Sequence, residues 1–174
     1  NNKLFNKFPE VLITIPRTVV LSTDIFDEFM DHNNLYTIAL SDFSDDEILN
    51  RFINAELPGH IYQDFYAFLA VSRNYPIAVR SSSKLEDSHY QPFAGIYSTY
   101  MIPRHPDNKA MVILISDAIK EVYASVYYRE SKAYMTATAN VIDEEKMGII
   151  LQDVCGNRHG DIFYPTLSGV AQSI

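Results

Sequence analysis

The chain has 174 residues, a formal net charge of −8 at pH 7, 47% apolar residues and 21% charged residues. This length and composition predict one globular domain with its own core and exclude an intrinsically disordered chain. The acidic balance argues against a general nucleic-acid surface or an anionic membrane partner, but it leaves room for one local basic pocket.

The cysteine content and the apolar runs predict a cytoplasmic protein. The single cysteine, Cys155, excludes an internal disulfide framework and indicates a reducing compartment. The longest apolar patch, Met111–Ile115, is far too short to span a bilayer. The first residue is not Met, and residues 168–174 have the pattern of a strand cut in mid-course. We therefore expect residues 1–174 to be part of one domain of a longer protein.

Residues 1–72 are predicted to be mostly helical, although the first element in them is a strand. The run Thr18–Ser22 is β-like, and a helix follows it with apolar residues on one side. Two further helices are predicted before residue 73. Ser44 and Glu47 have the spacing of a capping box ahead of an apolar run, and Pro58-Gly59 ends that helix. The next helix has apolar residues at i, i+4, i+7 and i+8: Ile61, Phe65, Phe68 and Leu69.

Residues 73–174 are predicted to hold the strands and one long helix. Ile77–Val79 reads as a buried strand and Ile96–Ile102 as a second one. The long helix has apolar residues at alternating steps of three and four, and we expect this stripe to pack against a sheet, with partner binding as the alternative. The stripe consists of Val112, Ile115, Ile119, Val122 and Val126.

The last part of the chain is predicted to be β structure. Strands are expected at 147–154, 161–165 and 169–174, with a turn at 156–160. Together the elements predict an α+β fold, with two or three helices ahead of a mixed or antiparallel sheet.

The most informative segment follows the Ile77–Val79 strand. Arg80 stands at the predicted end of that strand, and the hydroxyl residues Ser81, Ser82 and Ser83 come next. A guanidinium with hydroxyls and backbone N–H groups behind it is a candidate cradle for phosphate oxygens. The alternative is an ordinary loop in which Arg80 pairs with a carboxylate, either Glu86 or Asp87.

The order and spacing of three motifs resemble a known family. These motifs are Val79-Arg80-Ser81-Ser82, Glu86-Asp87 and Phe93-Ala94-Gly95. They are similar to the V-R-S-S-A-T-A-E-D and F-A-G motifs in the ATP-binding region of phosphoenolpyruvate synthases, pyruvate phosphate dikinases and related dikinases. The chain departs from this pattern at 83–85 and at Ile96-Tyr97. Weaker similarity extends from Ile15-Pro16 to residues 168–170.

The resemblance implies an ATP-grasp fragment, in which two α+β lobes hold ATP between them. On this basis Arg80 contacts phosphates, and Gly95 allows close approach of the backbone. Ser81 and Ser82 are implied neighbours of the phosphates, with plain turn formation as the alternative. Lys84 stands at a family threonine position and either replaces that hydroxyl or points into water. Thr99 aligns with a phosphate-facing threonine, or is an ordinary strand threonine.

The resemblance also implies where the adenine and the metal lie. Gln152 and Val154 match the hinge where a strand backbone reads adenine, whereas a core strand is the plain interpretation. The Mg ligands of the family follow the strand that contains residues 168–170, beyond residue 174. None of the histidines has metal-ligand spacing, so no metal site is expected in the chain.

The resemblance leads to a functional hypothesis with two alternatives. The parent protein is expected to pass a phosphoryl group from ATP to a carrier histidine on another domain, and then to pyruvate to give phosphoenolpyruvate. Without metal ligands the isolated fragment is expected to be inactive. The first alternative is a dikinase with a glucan or antibiotic acceptor. The second is a non-catalytic nucleotide-sensing or interaction module.

Overall fold

Four strands form one antiparallel sheet in the computed structural model, which describes residues 6–11, 13–72, 74–86, 95–138 and 145–169. The strands are arranged in the order β1-β4-β2-β3, so β2 lies inside the sheet between β4 and β3. Their bounds are β1 Thr18–Leu21, β2 Ile77–Ser83, β3 Thr99–Ile102 and β4 Met147–Asp153. A separate hairpin consists of β5 Asn157–His159 and β6 Ile162–Tyr164.

Six helices complete the described part of the chain. They are α1 Thr23–His32, α2 Tyr36–Ala39, α3 Asp45–Ile53, α4 Ile61–Val71, α5 Asn108–Ser125 and α6 Arg129–Ala137. The predicted capping box starts α3, where the Ser44 hydroxyl accepts from the Glu47 N–H and the Glu47 carboxylate accepts from the Ser44 N–H. This exchange satisfies two N–H groups that a helix start otherwise leaves without acceptors.

The long helix α5 organises the core. It contacts β2 and β3 on one side and α3 and α4 on the other, while α1 packs on β4. The residues of the predicted apolar stripe are all buried, and α5 as a whole contacts both the sheet and the helices α3 and α4. Rings from two helices meet at Tyr123 of α5, whose ring centroid lies 5.0 Å from that of Phe26 and 5.5 Å from that of Phe29, both on α1. Helices therefore cover one face of the sheet.

The α+β prediction is confirmed, and the sheet is antiparallel. Three boundaries were wrong. Strand β2 continues to Ser83, so Arg80 lies within the strand and not at its end. Strand β3 begins only at Thr99. The predicted turn at 156–160 contains β5, and the reversal is confined to the residues around Gly160, which has a φ of +63°.

Pairing explains the longer β2. Serine has no strong strand preference, but Ser81, Ser82 and Ser83 each pair with a β4 residue, and ladder hydrogen bonds override a weak propensity. Helix α6 escaped prediction because it buries only Ser131 and Met135, too few for an apolar stripe. Of the predicted strand at 169–174, only Gly169 lies within the described residues. The assignment of the chain to part of one domain stays a prediction.

None of the described helices combines the length and apolar character needed to cross a membrane.

The Tyr123 hydroxyl yields a stability prediction. It is buried and has no hydrogen-bond partner among the described residues, and burial raises the pKa of this phenol. Tyr123→Phe removes the unsatisfied hydroxyl and keeps the ring contacts, so the free energy of unfolding should rise by about 1 kcal/mol. Urea denaturation measures this change. A loss of stability would show that the hydroxyl has an acceptor.

Candidate functional site

One face of the sheet is not covered by the described helices, and we call it the open face. Because side chains alternate along a strand, the pairing register places one set of residues on this face. The set consists of Thr18 and Val20 of β1, Gly148, Ile150 and Gln152 of β4, Ala78, Arg80 and Ser82 of β2, and Thr99 and Met101 of β3.

Arg80 lies near the centre of the open face. Its backbone pairs with Ile150 on one side and with Thr99 on the other. The adjacent β2 residues Ile77 and Val79 are fully buried on the opposite face, which anchors the strand. The Arg80 side chain is exposed and makes no hydrogen bond or ion pair within the described ranges. The alternative pairing of Arg80 with Glu86 is therefore not observed, and Asp87 lies outside the described residues.

Neutral polar groups and apolar groups surround this guanidinium. Thr99 is its direct cross-strand neighbour, and such neighbours have Cβ atoms about 4.5–5.5 Å apart. Ser82 is the next β2 residue on the same face. The apolar side chains Val20 and Met101 are 63% and 62% exposed, and Ile150 is half-buried. The open face therefore combines a cation, hydroxyls and an apolar surface, and sequence reasoning missed the apolar part.

Gln152 also lies on the open face, but its side chain is already engaged. Its Nε2 donates to Oγ1 of Thr18, 2.9 Å away on β1. This bond joins residues far apart in sequence across two strands. The half-buried Gln152 side chain therefore helps to hold the edge strand β1 in place.

The predicted adenine hinge has its N–H groups occupied. The N–H of Val154 donates to the carbonyl of Pro76 at 2.9 Å, and that of Asp153 donates to the carbonyl of Arg17 at 3.0 Å. Adenine binding at this hinge would use carbonyl oxygens or displace one of these bonds. The roles of Gln152 and Val154 toward adenine stay predictions.

Ser81 lies on the opposite face from Arg80, and its hydroxyl donates to the Glu86 carboxylate at 2.8 Å. The same carboxylate accepts from the Ser83 N–H at 3.1 Å, while the Glu86 N–H donates to the Ser83 hydroxyl at 3.3 Å. Glu86 thus orders the turn after β2. The structure brings Arg80, Ser82, Thr99 and Gln152 onto one face and leaves Ser81 outside that group.

The remaining predicted site residues lie in the connection between β2 and β3. Lys84 is exposed in the turn after β2. Gly95 has a φ of +87°, a backbone conformation that side chains disfavour, so glycine is required there by conformation. Phe93 and Ala94 lie outside the described residues.

A buried polar cluster lies beneath the end of the sheet that carries Ser82 and Thr99. The Tyr97 hydroxyl donates to Oε1 of Glu145 at 3.0 Å, and these two residues are only 5% and 6% exposed. The Ser83 side chain lies next to both of these groups and favours the charged form of each. Burial, and then the nearby Glu145 charge, raise the pKa of Tyr97. We call Ser83, Glu86, Tyr97 and Glu145 the carboxyl cluster.

Burial also raises the pKa of the Glu145 carboxyl, with a smaller contribution from the Glu86 charge. Hydrogen bonds from Ser83 and Tyr97, and the charge of Lys84, act in the opposite direction. Sequence reasoning missed Glu145 because it follows Asp143-Glu144, and such an acidic run is typical of a solvated loop.

The described residues contain no group of three or more His, Cys, Asp or Glu side chains able to hold a metal ion. The resemblance places the Mg ligands beyond residue 174, and their position stays a prediction.

The chain matches a protein family over nearly its whole length. The model of the pyruvate phosphate dikinase AMP/ATP-binding domain matches residues 3–174. The chain belongs to this family. The resemblance found in the sequence motifs is thereby confirmed.

A curated relative is also similar to this chain. It is the "Uncharacterized phosphotransferase YvkC" of Bacillus subtilis (strain 168), 26% identical over 152 residues. The match covers 87% of this chain but only 17% of that relative. The chain therefore spans less than a fifth of the length of the relative.

Glu145 yields a prediction of pH dependence. Its pKa in the folded state lies above the ordinary value of 4.5. Its contribution to stability is therefore complete below that value and is lost as the pH rises through the folded-state pKa. Glu145→Gln keeps an acceptor for Tyr97 and removes the titration, so stability should fall less between pH 4.5 and neutral pH. Thermal denaturation across this range measures the effect.

Glu47 serves as a control, because its pKa is shifted in the opposite direction from that of Glu145. Its hydrogen bonds with Ser44 hold the pKa of this exposed carboxyl below the ordinary value. Glu47→Gln should therefore lower stability at neutral pH and have little effect at acidic pH. If the stability of wild type and that of Glu145→Gln changed with pH in the same way, the assigned role of Glu145 would be contradicted.

Proposed function

We propose that the open face binds ATP, with the phosphates at Arg80. The observation that carries this proposal is an exposed guanidinium near the centre of a sheet face, without a counter-ion in the described part of the chain. The protein as a whole is acidic, so an anion such as ATP needs a local cation. A planar guanidinium presents several N–H donors and stays charged at every relevant pH.

The neighbours of Arg80 support a nucleotide over a simple anion. Hydroxyls of Thr99 and Ser82 on the same face are suited to phosphate oxygens. The apolar side chains Val20, Ile150 and Met101 offer a surface for the base. Burying apolar area stabilises binding by about 25 cal/mol per Å². We place the phosphates at Arg80, Ser82 and Thr99 and the base on the apolar side chains beside them.

The other predicted contacts take supporting roles in this proposal. Gly95 and Lys84 lie at the two ends of the connection between β2 and β3, where the backbone turn and the ammonium group approach the phosphates. Ser81 positions the turn through Glu86. Val154 and Gln152 border the base.

We propose that the parent protein is a phosphoenolpyruvate synthase or pyruvate phosphate dikinase-like phosphotransferase of the cytoplasm. The ATP-binding family and the phosphotransferase name of the Bacillus relative support phosphoryl transfer. A phosphohistidine domain carries the phosphoryl group to pyruvate in this proposal. The role of this chain is to bind and orient ATP, because phosphoryl transfer depends on positioning and on neutralisation of charge by cations. We therefore expect this chain alone to be inactive.

The acceptor and the direction of transfer depend on the rest of the parent protein. Glucan or antibiotic acceptors use the same ATP-binding part, so the second domain of the parent distinguishes them from pyruvate. A non-catalytic nucleotide-sensing module is a second candidate. The exposed Lys84 at a family threonine position is the observation that favours it.

Arg80→Ala in the intact protein should weaken ATP binding. A charge-assisted hydrogen bond contributes about 1.5–3 kcal/mol, which corresponds to about 10- to 150-fold in Kd. Arg80→Lys should recover only part of this loss, because a lysine loses the forked donor geometry. Isothermal titration with ATP measures the change.

Two controls make this test specific. Arg51→Ala removes an exposed arginine of α3, away from the open face, and should leave the Kd for ATP unchanged. Adenosine lacks phosphates, so its affinity should not change in Arg80→Ala. An unchanged Kd for ATP in Arg80→Ala would show that the phosphates do not bind at Arg80 on the open face.

A further inference from the structure

We infer that the hydrogen bond between Tyr97 and Glu145 positions the phosphate end of the open face without contacting the nucleotide. This inference rests on the proposed function, because it assigns the cluster a role toward that same face. The bond joins the end of the β2–β3 connection to the residues just before β4. It therefore holds these two segments of the chain together at one end of the sheet.

The position of the carboxyl cluster relative to the open face carries the argument. Ser83 is adjacent to Ser82, and Tyr97 lies two residues before Thr99. Ser83 and Tyr97 are buried, whereas the Thr99 side chain is exposed on the open face. A shift of the cluster must therefore move both residues that flank Arg80.

The bonding of the cluster makes such a shift costly. The Ser83 hydroxyl accepts from the Glu86 N–H at 3.3 Å and lies next to the hydrogen-bonded pair of Tyr97 and Glu145. One residue further, the Ser98 N–H donates to the Ser125 hydroxyl at the end of α5, at 3.3 Å. Buried polar groups without partners are unfavourable, so this network specifies one arrangement. The start of β3 is thus fixed from beneath by polar contacts on both sides.

If the cluster only stabilised the fold, its loss would weaken the binding of ATP and of adenosine equally. The cluster lies beneath Ser82 and Thr99, which we assign to the phosphates, and away from Val20, which we assign to the base. Loss of the bond should therefore affect the affinity for ATP and leave that for adenosine unchanged. This role requires a hydrogen-bond acceptor on residue 145, but it does not require a negative charge there.

The test compares variants of the intact protein by titration with ATP and with adenosine, below the unfolding temperature of each variant. Tyr97→Phe and Glu145→Ala should each raise the Kd for ATP about three- to tenfold, the range that one lost hydrogen bond allows. Glu145→Gln, which keeps an acceptor for the Tyr97 hydroxyl, should stay within about twofold of wild type.

Tyr123→Phe is the matched control. It also removes one buried phenolic hydroxyl, but this hydroxyl has no partner among the described residues and lies in the helical core. Its Kd for ATP should equal that of wild type. If Tyr97→Phe does not fold, Ser83→Ala, a smaller change in the same cluster, takes its place with the same expected loss.

The possible outcomes separate this inference from the proposed function. Wild-type Kd values for ATP in Tyr97→Phe, Glu145→Ala and Ser83→Ala, together with a weakened Arg80→Ala, would overturn only the inference. An equal loss for ATP and adenosine would also overturn it, since that result indicates general destabilisation. A wild-type Kd in Arg80→Ala would instead overturn the proposed function.

Discussion

The alternation of side chains along β2 is the constraint on which the rest of this structure depends. The strand is paired on both sides, so each residue must face either the helices or the open face. Ile77 and Val79 enter the core, which sends Arg80 outward. A shift by one residue would bury the guanidinium and expose both apolar residues, at a cost that specifies the register strongly. The same register therefore buries Ile77 and Val79 in the core and exposes the Arg80 guanidinium.

The inner face of β2 changes character along the strand. Its first inward residues are apolar, but Ser81 and Ser83 continue the same alternation as hydroxyls. They face the carboxylates of Glu86 and Glu145, so the core ends in a buried polar cluster. Apolar contacts adapt to small shifts, whereas hydrogen bonds depend on direction and fix geometry more narrowly. The geometry of the core is therefore fixed most narrowly in this polar cluster, which lies beneath the phosphate end of the proposed ATP site.

Local signals in the sequence predicted the elements that have them. The capping box at Ser44 starts α3, and the apolar stripe that includes Ile115 and Ile119 lies buried in α5. Elements without a local signal were missed: α6 buries too little apolar surface, and β5 is an exposed strand that exists through pairing with β6. The end of β2 was placed too early for the same reason, since only β4 makes its serines a strand.

The sequence by itself determined the α+β class, the family and the segment around Arg80, because periodicity and motif spacing are local properties of the chain. It did not determine which of the predicted site residues share a surface. Tertiary pairing decided that Arg80, Ser82 and Thr99 face one way while Ser81 faces the other, because the register of a strand is set by its neighbours. It also brought Glu145 to Tyr97 across 48 positions, a contact that no local pattern encodes.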